Sequence, residues 1–363
     1  MKILLISSHF FPLINPRSFR ATELAKELVR QGNEVTVVTL HNSKHAEFSK
    51  EFNVEFKYLP DLKWKEISIQ GGGISSKIKR GLRRTMQLVA EYPAVELTGL
   101  VKDYINKENK QYDALISIAV PYPIHWGVAA SDWKNIAKTW IADCGDPYYG
   151  DTSDSFKKLF HFKFVEKWVF SKMDKITIPI EEGKKGYFAE FHHKMNIIPQ
   201  GFDFNINKSE YQKNEVPTFI YAGGFIPGYR DPQPFLEYLT KVNKDFKFII
   251  YTNTTGLIEP YLKTLGSKIE IRDYIPREEL MLELSKADFL VNIDNAETVQ
   301  SPSKLIDYKI ADRPILNVKK GNVDEKLVNE FLDYNFINQL NINDLDRFDI
   351  KNVANQFVNL IKK

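Results

Sequence analysis

Cysteine is nearly absent: Cys144 is the only one in 363 residues. An intramolecular disulfide framework is therefore excluded, and a reducing compartment fits. Long apolar runs are missing as well. No stretch approaches the length of a membrane span. The opening MKILLISS is too short for a signal-peptide core and no cleavage site follows it, so it reads as a first strand. A cytoplasmic protein is expected. The charges nearly balance, at a net +3, which is too little to point to nucleic acid. No G-x-G-x-x-G follows the first strand, which argues against a classical NAD-binding dehydrogenase. The histidines and Cys144 show no metal-ligand spacing. Low-complexity segments and short repeats are lacking.

What is present is an alternation. Strand-like runs such as KILLIS, EVTVVTL, DALISI, KTWIAD, TFIYAGG, FKFIIY, DFLVNI and PILNV are separated by helical patterns. One such pattern, FRATELAKELVRQG, ends at Gly32. Alternation of this kind predicts parallel sheets with helices on both faces. About eleven strand candidates are too many for one doubly wound sheet and suit two. The polar, aperiodic stretch Phe202 to Pro217 reads as the linker. The expected division is residues 1–203, residues 204–345, and a terminal amphipathic helix over 346–363 that has the option of packing back on the first domain. The fold class is α/β: two Rossmann-like doubly wound domains facing a cleft, the default place for a ligand.

The segment SPSKLIDYKIADRPIL, Ser301 to Leu316, carries the most chemistry. Ser301 suits an N-cap and Pro302 the first helical position. Lys304, Asp307 and Tyr308 share a helix face. A helix N-terminus after an apolar strand favours anions. A lysine and an aspartate beside it suit a sugar nucleotide, cation to diphosphate and carboxylate to ribose. The plain alternative is an ordinary capped helix with Asp307 paired to Lys304.

In order along the chain, MKILLIS with FRATELAKELVRQGNEVTVVT, NIIPQGFDF, YAGGFIPGYRDPQPFLEYL, YIPREELMLELSKADFLVN and SPSKLIDYKIADRPIL resemble the successive motifs of GT-B glycosyltransferases. The likeness is to retaining enzymes of the glycosyltransferase family 4 kind, those of bacterial capsule and lipopolysaccharide synthesis. It implies a hexosyltransferase that takes a sugar from a nucleotide-sugar donor, UDP- or GDP-linked, to a growing surface glycan, lipid-linked, with retention of configuration. It implies no bound metal and no cofactor beyond the donor. The donor would lie in the C-terminal domain, on Gly223, Gly224, Arg230, Ser301, Ser303, Lys304 and Asp307. Asp307 matches the second of two glutamates common in the family, whereas the first falls at Val299. The opening loop FFPLINPRS lacks the family's glycine pair, which leaves two alternatives: Arg17 or Arg20 as the substitute phosphate contact, or no such contact.

In the first domain, WIADCGDPYYGD places Asp143, Asp146 and Asp151 after a strand. Asp146 resembles the aspartate of a DxRDPW-like segment in some relatives and is the candidate to orient the acceptor hydroxyl or take its proton. His125, near a helix start, is the other candidate there. Arg230 and Lys304 would stabilise charge on the leaving nucleotide. Lys77, Lys79, Arg80, Arg83 and Arg84, interleaved with apolar residues, give segment 75–90 the character of a peripheral contact with the inner face of an anionic membrane. The second basic stretch, FKKLFHFKFVEKWVFSK, has aromatics that fit a core equally well. A sugar-nucleotide epimerase on the same fold is the rival enzyme, although no convincing acid/base set can be named for it. A non-catalytic partner in a glycan assembly complex is the third reading.

Overall fold

A computed structural model describes residues 1–65, 67, 74–151, 157–294 and 303–362. All its strand pairs run parallel. The first sheet holds β1 (Lys2–Ile6), β2 (Glu34–Leu40), β3 (Glu55–Leu59), β4 (Tyr112–Ile118), β5 (Ala137–Asp143), β6 (Lys175–Ile178) and β7 (Met195–Ile197), in the order β3-β2-β1-β4-β5-β6-β7. The second holds β8 (Thr218–Ala222), β9 (Lys247–Tyr251), β10 (Ile269–Arg272), β11 (Phe289–Ile293) and β12 (Ile315–Val318), in the order β10-β9-β8-β11-β12. These are two Rossmann-like, doubly wound sheets. The strand that sequence periodicity misses is β7, whose three residues are too few to show a period.

The chain divides into two compact units, Met1–Asp203 with Asp346–Lys363, and Phe204–Leu345. The strand period of two decides what each face of the first sheet buries. Leu4 and Ile6 of β1 enter one core with Leu115 and Trp140. Ile3 and Leu5 enter the other, with Leu24 and Leu28 of the helix Pro16–Arg30. That second core is completed from the far end of the chain. Val353, Ala354 and Phe357 of the helix Ile350–Lys362 pack into it, and Phe202 N–H donates to Phe348 O over 2.8 Å. In the second unit, Phe219, Phe248 and Phe289 lie side by side on adjacent strands. They share a core with Phe235 and Phe331.

The helix Pro16–Arg30 starts three residues before the pattern that opens at Phe19, inside the stretch read as the opening loop. The Asn15 side chain accepts from the N–H groups of Arg17 and Ser18, and the helix is followed by Gly32 at φ +81°. Among the described residues no helix is long and apolar enough to cross a membrane.

Candidate functional site

Open parallel sheets bind ligands beyond the carboxyl ends of their strands, where the strand order reverses. The reversal lies between β8 and β11 in the second unit and between β1 and β4 in the first. The segments leaving those four strands are the places to search.

In the second unit, the helix Ser303–Ile310 docks on the end of β8. The Ala222 N–H donates to the Tyr308 hydroxyl over 2.9 Å. Lys304 Nζ donates to the Tyr221 hydroxyl at 3.3 Å and lies 4.4 Å from that ring's centroid. Burial, and then the charge of nearby Arg230, pull the Lys304 pKa down to about 7. Arg230 Nη1 reaches Gly224 O at 3.3 Å, the same carbonyl that accepts from the Tyr221 hydroxyl. Two cations thus converge at the switch point. Among the described residues, no carboxylate lies within ion-pair reach of Lys304. A cluster of this charge is suited to an anion.

Asp307 is placed on the shared face but does not pair with Lys304. Arg277 takes it instead, with Nε at 2.9 Å and Nη2 at 2.6 Å from Oδ1. Burial pushes the Asp307 carboxyl up, and Arg277 opposes that shift. Arg277 lies in the segment YIPREELMLELSKADFLVN, which assigns it no site role, yet a signal is present. It opens the helix Arg277–Lys286, where the helix dipole disfavours a cation.

Gly223 adopts φ +143°, which a side chain would resist. The loop after it does not offer its amides as freely as its glycines suggest. Gly223 N–H is taken by Tyr251 O, Phe225 N–H by Thr254 Oγ1, and Arg230 N–H by Ile226 O. Asp231 accepts from the N–H groups of Gly228 and Gln233. Anion binding at this loop therefore falls to side chains more than to the backbone. Ser301 and Val299 lie outside the described residues, as does the side chain of Ser303.

In the first unit, Asp143 ends β5 and is buried. Arg20 grips both its oxygens, at 2.9 and 3.2 Å, Arg17 reaches Oδ2 at 2.5 Å, and the Thr177 hydroxyl donates to Oδ1 at 2.7 Å. These cations outweigh burial and hold the carboxyl well below its ordinary range. Arg20 also donates to Ile198 O and Pro199 O and lies over Phe357. Arg20 is thereby corrected from a phosphate contact to a structural cation: its guanidinium is buried and makes four hydrogen bonds within the protein. Arg17 remains partly exposed and packs against Gly145, where a Cβ would come within 3.1 Å of it.

Asp146 is exposed, and its carbonyl accepts from the Tyr122 hydroxyl at 2.7 Å. His125 needs correction. Its side chain has no exposed surface. Nδ1 is 2.8 Å from Ser117 Oγ, itself bonded by Trp140 Nε1–H, and Nε2 is 3.6 Å from Cys144 Sγ. Burial lowers its pKa to about 3, so it is neutral. A side chain enclosed in this way supports the loop and does not touch a substrate.

The loop bearing Asp146 is tightly fixed. A Cβ on Gly150 would collide with the carbonyl of Gly186, and one on Gly186 with Pro147. Beneath the loop lies Glu166, buried, with neither oxygen in a hydrogen bond of good geometry. Burial raises its pKa to about 7, opposed by the backbone N–H groups of Tyr149 and Tyr148. The folded protein therefore binds this proton more tightly than the unfolded chain. That contribution is whole below pH 4.5 and is lost as the pH climbs to 7. Glu166→Gln is expected to be more stable than the parent at pH 8, by on the order of 2–3 kcal/mol, with the gap closing at pH 5. Urea unfolding at the two pH values checks this. An equal difference at both would mean that the carboxyl ionises normally.

No protein-family model and no curated protein matches the chain. Solved structures do match over its whole length. A glycosyltransferase from Rickettsia africae aligns at a TM-score of 0.63 with 11% identity, covering 99% of this chain and 97% of that one. Anabaena HepE in complex with UDP-glucose aligns at 0.53 with 9% identity, covering 100% and 99%. A mutant of S. aureus TarM in complex with fondaparinux, α-GlcNAc-glycerol and UDP aligns at 0.56 with 12% identity, covering all of both chains. The two sheets and these alignments define a GT-B fold. At such identities the likeness carries the fold and leaves the chemistry to the residues themselves.

Proposed function

We propose that this protein is a UDP-sugar-dependent glycosyltransferase that extends a surface glycan with retention of configuration. The carrying observation is the convergence of half-buried Lys304 and Arg230 at the end of β8. As the bond between the anomeric carbon and the diphosphate oxygen breaks, negative charge grows on the leaving nucleotide. Fixed cations there lower the barrier because they stabilise the transition state more than the ground state. Asp307, steadied by Arg277, accepts from the ribose hydroxyls. Gly223 and Gly224 keep the approach open, and Ser301 and Ser303, just ahead of Lys304 in the sequence, are proposed as further phosphate contacts. Exposed Asp146 orients the acceptor hydroxyl or takes its proton as the new glycosidic bond forms. The uridine base is suggested by the UDP and UDP-glucose held by the GT-B structures of HepE and TarM. The acceptor is read as lipid-linked, with the basic segment 75–90 meeting the inner face of the membrane.

The test is release of UDP from a panel of UDP-sugars in excess chelator, with and without lipid-linked oligosaccharide. Lys304 and Arg230 supply the charge that a divalent metal otherwise provides, so acceptor-dependent release should persist. Interconversion of the donor sugar without an acceptor would instead identify an epimerase. Binding without either reaction would point to a non-catalytic partner.

A further inference from the structure

The helix His161–Lys172 has two apolar faces, and only one is used. Phe162, Val169 and Phe170 fill the core, with Glu166 among them. Phe160, Phe164 and Trp168, four residues apart, form a stripe on the other side and are 75%, 64% and 42% exposed. Aromatics that the sequence leaves open to a core role thus divide between core and solvent. The neighbouring helix Ile74–Ala90 carries a second exposed stripe, Ile78, Leu82 and Val89. The two helices are joined. A His161 ring nitrogen lies 3.0 Å from Val89 O, and Lys158 pairs with Glu91.

The exposed charge on these helices is of one sign, although Lys167 pairs with Glu190 of a neighbouring segment. The helix Ile74–Ala90 contains no acidic residue and five cations, Lys77 to Arg84. The other has Lys163, Lys167 and Lys172 against a single acid, Glu166, which is buried. A second copy of this face would bring like charges together, which disfavours a two-fold dimer here. Aromatic and aliphatic side chains ringed by cations fit the boundary between acidic headgroups and acyl chains.

We propose that the Phe160–Phe164–Trp168 stripe inserts into an anionic bilayer, with the helix Ile74–Ala90 as its electrostatic neighbour. This deepens the membrane contact in the proposed function and rests on that reading for its purpose. Its test needs no turnover, so the two can fail separately.

The probes are phosphatidylcholine vesicles with and without phosphatidylglycerol, in co-sedimentation at low and high salt. The parent should bind only the anionic vesicles, and more weakly at high salt. Phe164→Glu/Trp168→Glu should bind them at least about tenfold more weakly, with unchanged UDP affinity and thermal midpoint. Acyl-brominated phosphatidylglycerol should quench parent emission more than that of Trp168→Phe, as insertion of this ring requires. Equal binding by parent and double variant overturns the proposal. So does binding to neutral vesicles alone, or a dimer in sedimentation velocity that the double variant dissolves, which would assign the stripe to a second copy.

Discussion

Lys304→Met is expected to weaken UDP binding by roughly 10- to 150-fold, the equivalent of about 1.5–3 kcal/mol for a lost charged hydrogen bond. The unliganded protein should be as stable as before, because methionine replaces the buried stem of Lys304 and removes a charge that Arg230 and burial already disfavour. The same variant should abolish a pH dependence. In the free protein the lysine titrates near 7. A diphosphate favours the charged form, so binding above pH 7 must take up a proton. Affinity of the parent should be flat below pH 7 and fall by up to tenfold per unit above it, until the pKa of the complex is passed. Calorimetric titration from pH 6 to 9 in two buffers of different ionisation enthalpy gives both affinity and proton uptake. A parent affinity flat across that range, or a Lys304→Met variant that binds as the parent does, would remove Lys304 from the anion site.

Asp143→Ala should be the most damaging single change in the first unit, at about 3–5 kcal/mol. It leaves Arg20 buried without its carboxylate and deprives Arg17 of the same partner. The loss would spread, because Arg20 also holds the chain at Ile198 and Pro199 and covers Phe357 of the terminal helix. The pH sign is opposite to that of Glu166. The Asp143 pKa is depressed in the folded state, so its contribution is present above the ordinary carboxylate range and is lost as the pH falls through it and below. Asp143→Asn should flatten the acid limb of the stability profile. Guanidinium unfolding of parent and variants between pH 3 and 7 measures both effects. A loss below about 1 kcal/mol in Asp143→Ala would mean that water or a rearranged side chain satisfies the two arginines.

Much of this architecture is legible in the sequence because it rests on local period. Alternating apolar strands and the stop at Gly32 follow from neighbouring residues, whereas the start at Pro16, capped by Asn15, lies within the stretch read as a loop. Lys304 and Asp307 could be assigned to one helix face for the same reason. Their partners could not, since Arg277 and Tyr221 reach them only through the sheet order. The reading of His125 erred in a related way. A histidine at a helix start looks available until Ser117, Trp140 and Cys144 close around it from two other strands and a loop. Glu166 and Trp168 are two residues apart on one helix, and no composition argument says which of them faces the interior. Here the acid is inside and the tryptophan outside.

The central claim is that a nucleotide diphosphate occupies the second unit at the carboxyl end of β8. The most direct measurement is a crystal structure of the protein soaked with UDP. Difference density should place the diphosphate within hydrogen-bond reach of Lys304 Nζ and the Arg230 guanidinium, and the ribose against Asp307. A nucleotide bound elsewhere, or none at a concentration that saturates binding in solution, would contradict the account.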